Sequence, residues 1–387
     1  MTQLTLPKPS LRLPLTVAAT HGALELMHNI MPVVYPLLIA ERGYTYAQIG
    51  TLALVTGLCG TIGQPFFGWL SDRWDARWLA LISIVWMSAG MALVGLGMPY
   101  GALLVVVGAA AMASAAYHPA GASLANAIKG SRAGAVMSYF SLGGSAGSAA
   151  SPILIALLLG AFGLTGTLWL LPLGVLLAVA LYLPLRDITI TDETRTAPKQ
   201  RGALLPIVLL IVVTGSRSWL YGAFGNYLPE WFSSQGVSLQ RASLIYSIYL
   251  ISVSSGSFGG GFLVDRFGGS RVLAVAIGAL APLYWLFLNA PTAVAFVALL
   301  LLGFAIGTTF PTVILMAQRV WPRAVGLASA LVIGIGWLPA SFGAWTVGRV
   351  ADAQSLSAAL NAQTFVPLVG VVALAGYVLT QRRSTVA

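Results

Sequence analysis

His21, Glu25 and His28 fall at i, i+4 and i+7 of one apolar stretch, so on a helix two imidazoles and a carboxylate share a single stripe. A charged side chain near the centre of a bilayer costs at least ~2.5–3.5 kcal/mol, so the stripe is expected to face a partner or a wet opening rather than lipid. A carboxylate beside imidazoles, whose unperturbed pKa is about 6.5, is a set that can take up and pass on protons. The plainer alternative is that Glu25 only ties its helix to a neighbour. A second stripe repeats the spacing with different chemistry: Arg217, Tyr221 and Phe224 place a cation beside aromatic surface. Together with Tyr117, His118 and Asn226, these are the candidate substrate-binding residues, and Glu25, His21 and His28 are the candidate proton-coupling residues. For His118, next to Pro119, a structural hydrogen bond at a helix bend is an open alternative to substrate contact.

The elements that must carry these groups are transmembrane helices. The 387 residues are 58% hydrophobic and 8% charged, with a mean hydropathy of +0.88, far outside the range of soluble domains. Runs of about 20 apolar residues, enough to cross ~30 Å of hydrocarbon, predict twelve segments at 13–40, 46–70, 77–97, 101–127, 134–161, 165–185, 203–232, 240–264, 271–289, 292–317, 324–348 and 362–381. The first is too long for a signal-peptide core and reads as a retained helix. Every mid-membrane ionisable group falls on segment 1, 4 or 7. With Pro36 and Pro229 as matched marks, Glu25 and Arg217 sit at nearly the same depth and are expected to meet.

Charge fixes the topology. Sixteen of the 20 Lys and Arg lie in the amino-terminal segment, alternate loops and the carboxyl terminus; three, Arg42, Arg241 and Arg349, lie on the other side, and Arg217 is inside a segment. The positive-inside rule then puts both termini in the cytoplasm of a cell inner membrane. The net charge of +10 contains no basic run or aromatic-interleaved patch, so nucleic acid is not an expected partner. Cys59 stands alone, which excludes a disulfide framework, and no G-x-x-x-x-G-K-[ST] loop is present to use ATP. The spacing 21, 25, 28 matches no strong metal motif, so neither metal nor cofactor is expected, and an enzyme is not.

The longest polar connection, 186–201, lies at the midpoint and divides the chain into a six-helix unit at 1–185, a cytoplasmic linker and a second unit at 202–387. The halves echo each other: Gly68-Trp-Leu70-Ser-Asp72-Arg73 recurs as Gly261-Phe-Leu263-Val-Asp265-Arg266, and Tyr117-His118-Pro119 as Thr309-Phe310-Pro311. Two parallel repeats are the arrangement of a rocking secondary transporter.

The Gly-x-Leu-x-Asp-Arg loop, with Arg77 following the first copy and Arg271 the second, resembles the signature of the major facilitator superfamily. That resemblance implies an all-α membrane fold of twelve helices in two six-helix pseudo-repeats. It also implies a conformational latch of Asp72, Arg73 and Arg77 with its counterpart Asp265, Arg266 and Arg271. Within the superfamily, His21-x-x-x-Glu25 leading into Pro32 and Pro36, Tyr117-His118-Pro119-Ala120-Gly121 and Arg217-Ser218 resemble the fosmidomycin-resistance type of efflux protein. The small-residue face of Gly143, Gly144, Gly147 and Pro152 looks like a hinge or close-packing motif of drug antiporters, with Gly334, Gly336 and Pro339 as its counterpart.

The expected function is proton-coupled efflux, by antiport, of a small amphiphilic or anionic organic compound such as an antibiotic or secreted metabolite, by a protein acting as a monomer in the lipid bilayer. Symport of a small organic anion uses the same parts, and a sensor that does not transport is the remote alternative. Trp219, Tyr227, Trp321 and Trp345 are expected as anchors at the membrane surface.

Overall fold

The computed structural model describes residues 11–128, 133–186 and 203–384. All the regular structure among them is helical: α1 (Arg12–His28), α2 (Met31–Arg42), α3 (Tyr46–Ser71), α4 (Ala76–Leu93), α5 (Tyr100–Ala127), α6 (Ala133–Phe162) and α7 (Leu170–Leu185) form the first half. In the second half are α8 (Leu204–Gly225), α9 (Leu228–Ser233), α10 (Leu239–Phe267), α11 (Gly269–Asn289), α12 (Thr292–Val320), α13 (Val325–Ala353), α14 (Leu356–Ala362) and α15 (Val366–Ser384). Among the described residues, eleven continuous stretches are long and apolar enough to span a membrane. One of them, Val136–Leu185, has 50 residues, about 75 Å if straight and more than twice the hydrocarbon thickness. It reverses at the 3-10 turn Gly163–Trp169, where Gly163 takes φ +59, a left-handed conformation that ends α6 without steric cost. Counting this reversal, the described residues hold twelve crossing segments, as the hydropathy predicts.

The repeat is visible in the packing. Helix α1 lies on α6 as α8 lies on α13, α3 on α5 as α10 on α12, α4 on α5 as α11 on α12, and α4 on α7 as α11 on α15. Most of the linker, 187–201, lies outside the described residues. Segment 1 departs from expectation, because it is two helices. Pro32 has no N–H to give the carbonyl of His28, so α1 stops there, Asn29 leaves the helical region at φ −90, ψ 20, and α2 restarts with Pro32 in its first turn.

The halves meet at the end of the bundle opposite the termini. The carboxylate of Asp352, in the last turn of α13, accepts from the first two amides of α3, Tyr46 N at 2.8 Å and Ala47 N at 2.9 Å, and so caps the positive end of that helix from the other half. Tyr46 Oη donates to Glu230 Oε1 at 3.2 Å, and Tyr227 Oη lies 3.1 Å from both the Tyr46 and Ala344 carbonyls. Gly50 is pressed against the backbone of Ala344 and Trp345. Toward the termini, a Cβ on Gly68, Gly261, Gly326 or Gly334 would meet nothing within 4 Å.

Candidate functional site

Glu25 sits one turn before the break in α1, with its side chain 12% exposed. Its Oε2 accepts from Asn29 Nδ2 at 2.7 Å and from Ser148 Oγ of α6 at 3.1 Å. Three imidazoles surround it: His21 Nε2 and His118 Nε2 each 3.8 Å from Oε1, and His28 Nδ1 3.7 Å from Oε2. The side chains of His28 and His118 are 29% and 37% exposed although both lie in membrane-spanning helices, so the cluster faces an opening. The structure thus joins all three expected coupling residues and adds His118 of α5 to them.

The ring of His21 is held firmly. It stacks 4.1 Å from Phe140 and 5.6 Å from Tyr117, and its Nδ1 lies 2.9 Å from the Phe140 carbonyl. A carbonyl has no proton to give, so Nδ1 carries the hydrogen and, in the neutral ring, Nε2 keeps a lone pair toward Glu25. Tyr117 is fully buried and bonded to Thr20 Oγ1 at 2.8 Å, so it positions this ring. The glycines of α6 make the close approach possible: a Cβ on Gly144 would strike the His21 ring, and Cβ atoms on Gly143 and Gly147 would strike the backbone of Ala18 and Gly22. Four residues beyond Ser148, Pro152 leaves the Ser148 carbonyl without its helical donor. His21, Glu25 and His118 offer donor atoms within 4.8 Å of one another, a spacing an ion could also occupy.

Arg217 lies in the other half, 3% exposed on α8. Its Nε donates to the Ile306 carbonyl of α12 at 3.2 Å, and its guanidinium carbon is 5.3 Å from the Tyr221 ring and 4.9 Å from that of Trp337. Its Nη1 is buried without a partner. The expected meeting with Glu25 does not occur. Among the described residues the two form no ion pair, because matched depth along two helices fixes height, not lateral distance.

Several other expectations are corrected. Phe224 is turned 60° round the helix from Tyr221 and is wholly buried among Tyr249, Tyr284 and Phe287, as core. Asn226 spends its amide on the Gly222 carbonyl at 2.8 Å, closing the end of α8. Tyr227 and Trp321 are buried among protein atoms, bonded to backbone carbonyls rather than placed at a membrane surface. In the signature loop Arg77 bonds through Nε to Asp75, at 2.9 and 3.0 Å, and through Nη1 to the Arg186 carbonyl at 3.1 Å. Asp75 also caps α4, and its bonds from Arg77 hold its carboxyl below the usual range. Arg73 lies over Trp69 and Arg266 over Phe267, while Asp72, Asp265 and Arg271 form no ion pair among the described residues. Among the described residues, then, Asp72 and Asp265 make none of the ion pairs expected of a latch.

Asn29, Ser148, Asp75 and Trp337 are the site and loop residues that the sequence reading missed. Asn29 lies at i+4 from Glu25 and was legible by the same spacing rule; Ser148 and Trp337 stand inside the two small-residue faces, where the glycines drew the reading toward packing.

Residues 18–344 match the model of the Major Facilitator Superfamily. The chain is 24% identical to the Fosmidomycin resistance protein of Escherichia coli (strain K12) over 369 residues, 92% of this chain and 91% of that protein. It is also 24% identical to the uncharacterized MFS-type transporter YfnC of Bacillus subtilis (strain 168), over 92% and 90%. Among solved structures, it resembles a bacterial homolog of the human lysosomal transporter Spinster, inward-facing and occupied, at TM-score 0.77 and 16% identity over 95% of this chain and 96% of the other. The nucleoside transporter NupG aligns at TM-score 0.73 and 16% identity over 95% and 99%. At such identity these last two speak for the fold.

Proposed function

Because the chain belongs to the Major Facilitator Superfamily, and is therefore a multi-pass membrane transporter of small molecules rather than an enzyme, we propose that it exports a small organic anion in exchange for protons by alternating access. The observation that carries this reading is the division of labour between the halves: a carboxylate ringed by three imidazoles in the first and a buried guanidinium with an unused N–H edge in the second.

Ionised Glu25 accepts bonds from Asn29 and Ser148 and so ties α1 to α6. Protonated, it must donate, and the Nε2 lone pair of His21 is the acceptor placed for it. His28 and His118, the more exposed imidazoles, carry protons between this pair and the opening. Arg217 binds the anion. Each ion is costly to seal in a low-dielectric interior without its counter-charge, so the bundle closes over a bound anion or a protonated Glu25 more readily than over neither. Lacking a direct Glu25–Arg217 pair, the exchange runs through the movement of the halves, not through competition for one salt bridge.

Export, rather than import by symport, is favoured by the similarity to the Fosmidomycin resistance protein. The charge bias between loops supports an orientation with the termini in the cytoplasm and the joined end of the halves outside. The full chain in proteoliposomes with an imposed pH gradient tests the reading. Glu25→Gln is expected to abolish gradient-driven anion movement while anion exchange without a gradient persists, and wild-type coupling in that variant overturns the assignment.

A further inference from the structure

Arg217 is a buried cation for which the protein supplies no counter-charge. Among the described residues no carboxylate reaches it, one edge is tied to the Ile306 carbonyl, and Nη1 is left without a partner. What surrounds it instead is aromatic. The rings of Tyr221 and Trp337 stand nearly perpendicular, 81° apart with centroids at 5.5 Å, and the guanidinium occupies the corner they make. Phe310 of α12 abuts Trp337 at 6.1 Å and 75°. The indole is brought here by Gly336, whose missing side chain lets α13 close onto Thr214 of α8. Trp337 itself is only half-buried in the middle of its helix. Cation–π contact recovers only part of the penalty of burying an ion, so the rings alone leave the corner short of negative charge.

We infer that Trp337 is a specificity-determining residue that contacts the substrate, and that the site selects aryl carboxylates: the planar carboxylate takes the free fork of Arg217 and the aromatic body lies against the indole. The match of shapes is the reason. A guanidinium fork and a carboxylate are coplanar partners that bond in pairs. An aromatic ring continuing from that carboxylate meets Trp337 in an offset or edge contact, worth roughly three- to tenfold in affinity over an aliphatic chain of similar size. Tyr221 completes the corner, its ring 5.3 Å from the guanidinium carbon. The inference rests on the reading of Arg217 as the anion site and adds to it the second determinant, which no charge consideration would supply.

Calorimetric titration of the purified full chain with acetate, hexanoate and 2-naphthoate tests it. Wild-type protein is expected to bind naphthoate at least threefold more tightly than hexanoate, and acetate most weakly. Trp337→Leu should bring naphthoate and hexanoate to within twofold of each other while carboxylate binding persists; Trp337→Phe, which keeps a ring and guards against misfolding in the Leu variant, should retain the preference. An unchanged ratio in Trp337→Leu with both ligands lost in Arg217→Gln overturns the role of Trp337 and leaves the anion site standing. Undiminished binding in Arg217→Gln, or no binding of any of the three acids by wild type, overturns the anion site itself.

Discussion

Glu230 makes the closure of the halves sensitive to pH. It lies on the short helix α9, outside the membrane-spanning segments and 6% exposed, and burial pushes its carboxyl up to about 7 although the bond from Tyr46 pulls the other way. When the halves separate at this end, the carboxyl is hydrated and returns toward its ordinary 4.5. The joined state therefore holds a proton over a range where the parted state has released it. Joining is fully favoured below pH 4.5, and the advantage is lost as pH rises through 7. A difference of about 2.5 units corresponds to roughly 3 kcal/mol, or a few-hundredfold change in the ratio of joined to parted molecules, as an upper bound. Glu230→Gln, which keeps the acceptor for Tyr46 and cannot ionise, should remain joined at both ends of the range. Spin labels at Glu41 and Gln235, one in each half at this end, in a Cys59→Ser background, report the separation by electron–electron resonance at pH 5 and pH 8. The cluster around Glu25 titrates as well, so the quantity that decides is the difference between wild type and the Gln variant. Identical pH responses in the two would refute the assignment of the switch to Glu230.

Two further outcomes follow from the packing. Asp352→Asn removes the charge that caps α3 from the opposite half; at a worth of roughly 0.5–2 kcal/mol for a helix cap, the same labels should show a two- to thirtyfold gain in parted molecules, and an unaltered distribution would assign the join to the tyrosines alone. Gly144→Ala drives a methyl into the His21 ring, an overpacking worth roughly 1–3 kcal/mol; it should lower the melting temperature by several degrees and uncouple transport from the pH gradient, and normal coupling with His21 displaced would remove that ring from the proton path.

Hydropathy revealed the crossings because a bilayer demands length and apolarity from each one, and those are properties of a single stretch. The stripe of His21, Glu25 and His28 was legible for the same reason, as neighbours on one helix need only the right spacing. His118 and Ser148 were not, since their approach to Glu25 depends on how α5 and α6 lie against α1. Periodicity misled twice. It put Phe224 on the stripe of Arg217, where α10 and α11 offer an aromatic bed that draws the ring away. It also matched Glu25 and Arg217 in height while saying nothing of the lateral distance between their helices. In the loop after α3, the Asp72 of the repeated motif drew the eye from Asp75, which stands outside the repeat and holds Arg77 in the conformation described. The break at Asn29 was written in Pro32 and passed over because the run of apolar residues continues through it.

The backbone of α6 rests directly on that of α1 from Ala18 to Gly22, with no side chains between to act as a cushion. Two rods in such contact cannot slide or roll independently. Whatever gaining or losing a proton at Glu25 does to either helix must therefore be passed on as tilt of the whole first half, which makes that carboxylate a lever on the distant seam rather than a local latch.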